Sequence, residues 1–281
     1  RQNTALFVDA VAKIRDWTDS GWSFAIGKTL EEVDEHQVAK RAQEKAIQYY
    51  QAGRTQNGAM PIIFHGQAMV DLLGAFAPIF SAERAQKGMS QLAGKQGQKI
   101  AADCVTIVDT PDHPQLGPGL PFDGEGVPTG VHTLVDHGVL KTLLYSLSSA
   151  KQDGVQSTGH GRRGYSGQVT IAPHVFTVQP GTQTLAELCA QAGHGVVIYE
   201  VTGLHAGVND VSGDFSLLCK GRLIENGAEG RAVEQMVVSG NFFAMLQAIT
   251  ALGNDTQYSI PGGSCYASPS VYVKELAIAG N

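Results

Sequence analysis

The sequence predicts an α+β fold, a mostly antiparallel twisted sheet or partly closed barrel with helices packed outside it. Three features of the 281-residue chain carry that expectation. Strand-like runs come in hairpins, helical runs come singly or in isolated pairs, and there is no strand–helix–strand alternation or internal repeat. At 43% hydrophobic residues, the chain can bury a sizeable core as one large domain or one and a half.

Residues 5–27 alternate apolar and polar positions (Phe7, Val8, Val11 and Ile14, then Trp17, Trp22, Phe24 and Ile26) around Asp19-Ser20-Gly21. That pattern predicts two strands with their turn at those three residues. Asp34 is a good N-cap, and Val38, Ala42, Lys45, Ala46 and Tyr49 recur at helical spacing until Gly53, so a helix is expected to cover the hairpin. The polar run RTQNGAM at 54–60 divides residues 1–53 from 61–281. Beyond it, 61–64 reads as a short buried strand and 67–80 as a helix with Val70, Leu73, Ala77 and Phe80 on one face. A second helix over 81–92 has Ser81 as cap and Glu83 where the macrodipole favours an acid.

A strand over 105–108 leads into 109–130, a Pro- and Gly-rich stretch without periodicity, the pattern of a functional or lid-like loop. A tight hairpin follows across Asp136-His137-Gly138, then a polar Gly-rich loop over 151–168, a strand over 169–178 and a short helix over 184–192. The chain is organised around 199–227, a Gly-punctuated loop clamped between two strand-like runs and closed by Asn226-Gly227, the pair a type I′ turn demands. A strand over 231–239, a helix over 241–252 capped by Asn241 and a C-terminal strand pair complete the chain.

A net charge of −6 argues against nucleic acid or anionic membrane as a partner, and no run of about 18 apolar residues exists to span a bilayer. The four cysteines lack metal-type spacing and the start, RQNTALF, is not a signal peptide, so a reducing cytoplasm is expected.

GHGRRG at 159–164 spells a dinucleotide fingerprint, but polar residues precede it and a strand-like run follows it. The fingerprint needs a strand before and a helix after. The better reading makes Arg162 and Arg163 a basic loop that contacts a peptide or partner, or is simply solvated. Among nine histidines, His132 and His137 share no coordination face and read as surface and hairpin residues. His205 and Asp214 flank the central loop, where the aspartate can equally close an Asx-turn. FHGQAMVDLL at 64–73 has the strand-to-helix architecture of a zinc helix, yet Gly66 follows His65 and no second His or acid stands one turn on. Without those groups a metal-bound water can be neither held nor deprotonated.

The runs PFDGEGVPT, VDHGVLKTLLYSLSSAK, STGHGRR, GVNDVSGDFSLLCKGRLIENG, VSGNFFAMLQAITALGND and SPSVYVKELAIAG resemble, in order, the motifs of the TldD/PmbA family. The resemblance covers 61–281 as the C-terminal domain. It makes residues 1–53 the end of an N-terminal α/β domain whose earlier part is outside this sequence.

In that family, two similar subunits are expected to form an intracellular metallopeptidase acting on unfolded peptides. The TldD-type subunit holds zinc through an H-E-x-x-x-H helix and a Cys in a Gly-rich loop; the PmbA/TldE-type subunit lacks the metal set. Carried over, His65 falls on the first His, Gly66 on the Glu, Val70 on the second His, and Cys265 near the Cys ligand.

The resemblance therefore implies a PmbA/TldE-type subunit with no catalytic residue or cofactor of its own, only vestigial His65 and Cys265, and with zinc in the partner. The expected associations are a TldD-type heterodimer or a self-dimer, and a peptide substrate, with no nucleic acid or membrane. The alternative is a stand-alone protein that binds a peptide or client without cleaving it.

Overall fold

The structure, a computed structural model, describes residues 3–280. At the N-terminus, β1 (Thr4–Ile14) and β2 (Trp17–Gly27) pair antiparallel along their whole length. The turn is Arg15-Asp16, with Arg15 at φ 54°, and not Asp19-Ser20-Gly21, which lies inside β2. Gly21 serves a different purpose: α1 (Glu35–Ile47) crosses it so closely that a Cβ there would stand 2.2 Å from the Ala46 nitrogen. The cap is as expected, the Asp34 side chain accepting from the Gln37 N–H, and α1 buries Val38, Ala42 and Ala46.

The linker delivers the chain to β3 (Gly58–Phe64), and α2 (Gly66–Phe76) follows at once. The helix predicted over 67–80 ends at Phe76, and Ala77–Phe80 winds as a 3-10 turn because Pro78 has no N–H to continue the ladder. The helix predicted over 81–92 shrinks to α3 (Ala82–Gln86), capped by Ser81. Next come β4 (Ile107–Thr110), β5 (His132–Asp136) and β6 (Val139–Leu140), with His137 and Gly138 at positive φ between the last two.

The stretch 151–168 is more ordered than expected. It begins within α4 (Leu147–Asp153) and ends in a hairpin of β7 (Gly161–Arg163) with β8 (Val169–Ile171). Pro173 separates β8 from β9 (Val175–Val178), so the strand predicted over 169–178 is two.

After α5 (Leu185–Ala192) the chain forms β10 (Gly195–Thr202), the single turn α6 (Leu204–Gly207), β11 (Asp214–Glu225) and β12 (Ala228–Asn241). Asn226 at φ 52° and Gly227 at φ 77° make the type I′ turn the dipeptide predicts. The helix predicted over 241–252 divides into α7 (Phe242–Ala248) and β13 (Ile249–Leu252). The last strands are β14 (Gln257–Tyr258), β15 (Cys265–Ser268) and β16 (Val271–Gly280).

The order β12-β11-β10-β3-β16 closes on itself through a β12–β16 pairing, a five-stranded barrel with β13 added beside β16. One face of all five strands, including Ile62, Val196, Leu217, Met236 and Val273, joins α2 and α7 in the main core. Ile63, Val197 and Tyr272 point the other way and are covered by Leu188 and Cys189 of α5. A second sheet, β14-β15-β9-β4-β5-β6, carries the loops that build the site. The expected C-terminal pair is thus split, β15 serving the second sheet and β16 the barrel. No helix among the described residues is long and apolar enough to cross a membrane.

Candidate functional site

At one end of the second sheet a cleft of about 380 Å³ opens between the 109–124 loop, the β7–β8 hairpin and the segment preceding β15. His113, Phe122, Arg162, Arg163, His174 and Cys265 line it. Its wall is held from beneath by Asp109, a fully buried carboxylate on β4. Asp109 Oδ1 accepts the backbone N–H of His174 at 2.9 Å, and Oδ2 lies 2.8 Å from Nε2 of His160, itself fully buried. A buried carboxylate survives only when its lone pairs are paired, and here one carboxyl group ties together three segments far apart in the chain.

The surrounding imidazoles form a stack. The ring of His160 stands 4.7 Å from that of His174 and 5.3 Å from that of His132, centroid to centroid. His160 Nδ1 lies 2.8 Å from the Thr158 hydroxyl, and His174 Nε2 lies 2.9 Å from the Gly159 carbonyl. Because a carbonyl only accepts, His174 carries its proton on Nε2 and leaves Nδ1 as the lone-pair nitrogen. Burial holds His132 and His174 below the ordinary histidine range, so both are neutral at physiological pH.

Burial also pushes the Cys265 thiol up, so it is a protonated thiol rather than a thiolate nucleophile. Arg162 extends across the cleft and donates from Nη2 to the Pro173 carbonyl at 2.7 Å, while Arg163 is exposed at the mouth.

The residues singled out in sequence are not one site. Arg162 and Arg163 lie on the cleft, in a short hairpin rather than a loop, and no helix follows the GHGRRG glycines. His205 is exposed on α6 beside a separate groove with Asp210, and Asp214 is occupied locally by Ser212 Oγ and Asn241 Nδ2. Those hydrogen bonds hold the Asp214 carboxyl below the usual range.

His65 is the N-cap of α2 rather than a residue on its face. Its Nδ1 accepts the Gln67 N–H, and its ring stacks on Tyr199 at 4.7 Å. It lines another cavity, of about 140 Å³, with Lys45, Asp71 and Glu200, whereas Cys265 lines the cleft. The two are not brought together, and α2 offers no imidazole and Asp71 as its one acid. The zinc of an H-E-x-x-x-H helix therefore does not fit the residues of α2.

Sequence reading missed Asp109, His160 and His174. Among the described residues they form the group of His, Cys, Asp or Glu side chains whose ligand atoms lie within 4.8 Å of one another. His132, expected at the surface, is half-buried against His160. No spacing rule finds them, since Asp109 stands 51 residues from His160 and 65 from His174.

The profile of the PmbA/TldA metallopeptidase C-terminal domain matches residues 57–280. A metalloprotease PmbA homolog of Haemophilus influenzae is 25% identical over 279 residues, 99% of this chain and 58% of that protein. Metalloprotease PmbA of Escherichia coli O157:H7 is 29% identical over 225 residues, 78% of this chain and 46% of its own. Among solved structures, TldE from Thermococcus kodakarensis superposes with a TM-score of 0.88 at 26% identity, covering 99% of this chain and 63% of that one. A Thermotoga maritima protein assigned as a candidate modulator of DNA gyrase gives a TM-score of 0.89 at 38% identity, covering 98% and 62%. The chain thus spans between 46% and 63% of the length of these relatives. Profile, relatives and folds agree: this chain belongs to the PmbA/TldD family of metallopeptidase-like proteins.

Proposed function

We propose that this chain is the non-catalytic subunit of a TldD/TldE-like metallopeptidase that acts on unfolded peptides, with zinc held by a TldD-type partner. The observation that carries the reading is α2. Where a zinc helix needs two imidazoles on one face and a glutamate to deprotonate water, this helix has an N-cap histidine and an apolar, buried surface. The resemblance to PmbA and TldE proteins supports the same assignment. The arginine-edged cleft supplies a place for an extended peptide, and short strands beside it offer main-chain hydrogen bonds that do not depend on sequence. Action in the cytoplasm belongs to the same proposal, in keeping with four unpaired cysteines. The net charge of −6 gives no support to direct DNA binding.

The test is reconstitution. The chain alone should leave an unfolded peptide intact, and mixing it with a TldD-type chain should give zinc-dependent cleavage in a co-purifying complex. Cleavage by the chain alone that disappears in His65→Ala or Cys265→Ala would overturn the reading. One observation favours a second function: the cleft lies wholly within this chain, so it can hold a peptide without a partner. Peptide binding by the isolated chain, with no complex formed on mixing, would decide for that alternative.

A further inference from the structure

We propose that Asp109, His160 and His174 hold a divalent metal ion, Zn²⁺ being the best match to two imidazoles and a carboxylate. This site is separate from α2 and from any zinc carried by a partner. A four-coordinate zinc with bonds near 2.0–2.2 Å needs donors about 3.3 Å apart. Here Nε2 of His160 and Oδ2 of Asp109 are 2.8 Å apart, and the whole donor set falls within 4.8 Å, so small side-chain movements suffice.

The second layer is already that of a metal site. A ligating histidine characteristically gives its other ring N–H to a fixed acceptor. His174 does so to the Gly159 carbonyl at 2.9 Å, which sets its free lone pair at Nδ1. His160 has the Thr158 hydroxyl at 2.8 Å from its Nδ1.

In the metal-free chain the Thr158 hydroxyl donates to His160 Nδ1, and His160 Nε2–H donates to Asp109. On binding, His160 changes tautomer: Nε2 gives up its proton and offers its lone pair to the metal while Nδ1 takes up a proton, exchanged through solvent with none released overall. Nδ1 then carries the ring proton and donates to Thr158, whose hydroxyl turns to the Tyr145 carbonyl 3.3 Å away. Every polar atom named keeps a partner in both states. The burial of Asp109 and His160 leaves the half-buried His174 as the side turned to the cleft, where solvent completes the coordination.

Such an ion would staple the end of β4 to the turn before β7 and the residue before β9. It would fix the 159–164 segment and with it the position of Arg162. The proposal adds to the function above without depending on it.

Isothermal titration of the chelator-treated full chain with Zn²⁺, with metal content measured after dialysis, tests the site. Wild type and a His65→Ala/Cys265→Ala variant should each bind one ion per chain and gain thermal stability. His174→Ala should bind at least about 100-fold more weakly and lose that gain. Cobalt(II) on the wild-type chain gives a readout free of folding effects in variants. The expected spectrum is that of a nitrogen and oxygen site without thiolate charge transfer. Absence of binding, wild-type affinity in His174→Ala, or a thiolate band would overturn the proposal. Binding that follows His65 and Cys265 instead would overturn both this site and the non-catalytic reading.

Discussion

Asp71 projects from α2 into the cavity beside the N-terminal hairpin, and burial pushes its carboxyl up to about 6. Lys45 is held below the ordinary lysine range by the same loss of water, and Glu200 above the usual carboxylate range, so the cavity disfavours charge of either sign. A carboxyl raised in the folded state favours folding while it is protonated. That contribution is whole below the unfolded value near 3.8 and is lost as pH rises through about 6. Asp71→Asn removes the penalty, so the variant should be more stable than wild type at pH 8 by about 2 kcal/mol and equal to it at about pH 3. Thermal unfolding at the two pH values measures this. An equal shift at both would assign the effect to packing instead.

At the scale of elements, Gly21 shows what can and cannot be read from sequence. Asp-Ser-Gly has turn composition, and only the approach of α1 reveals that the glycine is there to let a helix lie on a strand. Gly21→Ala should destabilise the protein by about 1–3 kcal/mol in denaturant titration, and an unchanged midpoint would show that α1 can shift without loss. The α5 capping box is wholly local: Thr184 accepts from the Glu187 N–H, and Glu187 reaches back to the Thr184 N–H. Thr184→Ala should cost about 1 kcal/mol, visible as a lower thermal midpoint without change in secondary structure.

The same division holds elsewhere. The Asn226-Gly227 turn and the caps at Asp34, Ser81 and Asn241 were legible because neighbours in sequence satisfy them. The break of the helix at Ala248 and the splitting of β15 from β16 were not, because pairing partners elsewhere in the chain decide them. At the site, Arg162 and Arg163 stood out by composition, while the Asp109–His160–His174 group exists only once three distant segments meet.

At the scale of the whole molecule, polar contacts attach the N-terminal hairpin and α1 to the barrel. Lys220 of β11 pairs with Asp19 of β2 at 2.6 Å and lies over the Tyr49 ring at 5.1 Å, and Gln48 donates to Glu200 at 2.9 Å. Asp19 is 18% exposed and Lys220 27%, so water offers each charge limited compensation if its partner is removed. Lys220→Met keeps the stem of the side chain and leaves Asp19 unpaired, at a cost of about 1–3 kcal/mol that falls on the docking of the hairpin. The barrel closes through β12 and β16 and needs none of these contacts. Limited proteolysis of Lys220→Met should therefore cut the linker at 54–57 faster than in wild type while the barrel fragment persists. Restoring neutrality in Asp19→Asn/Lys220→Met should recover part of the protection. If the linker is cut at the wild-type rate, the pair does not hold the hairpin; if barrel and hairpin are lost together, the chain unfolds as one cooperative unit and the cavity around Asp71 cannot open on its own.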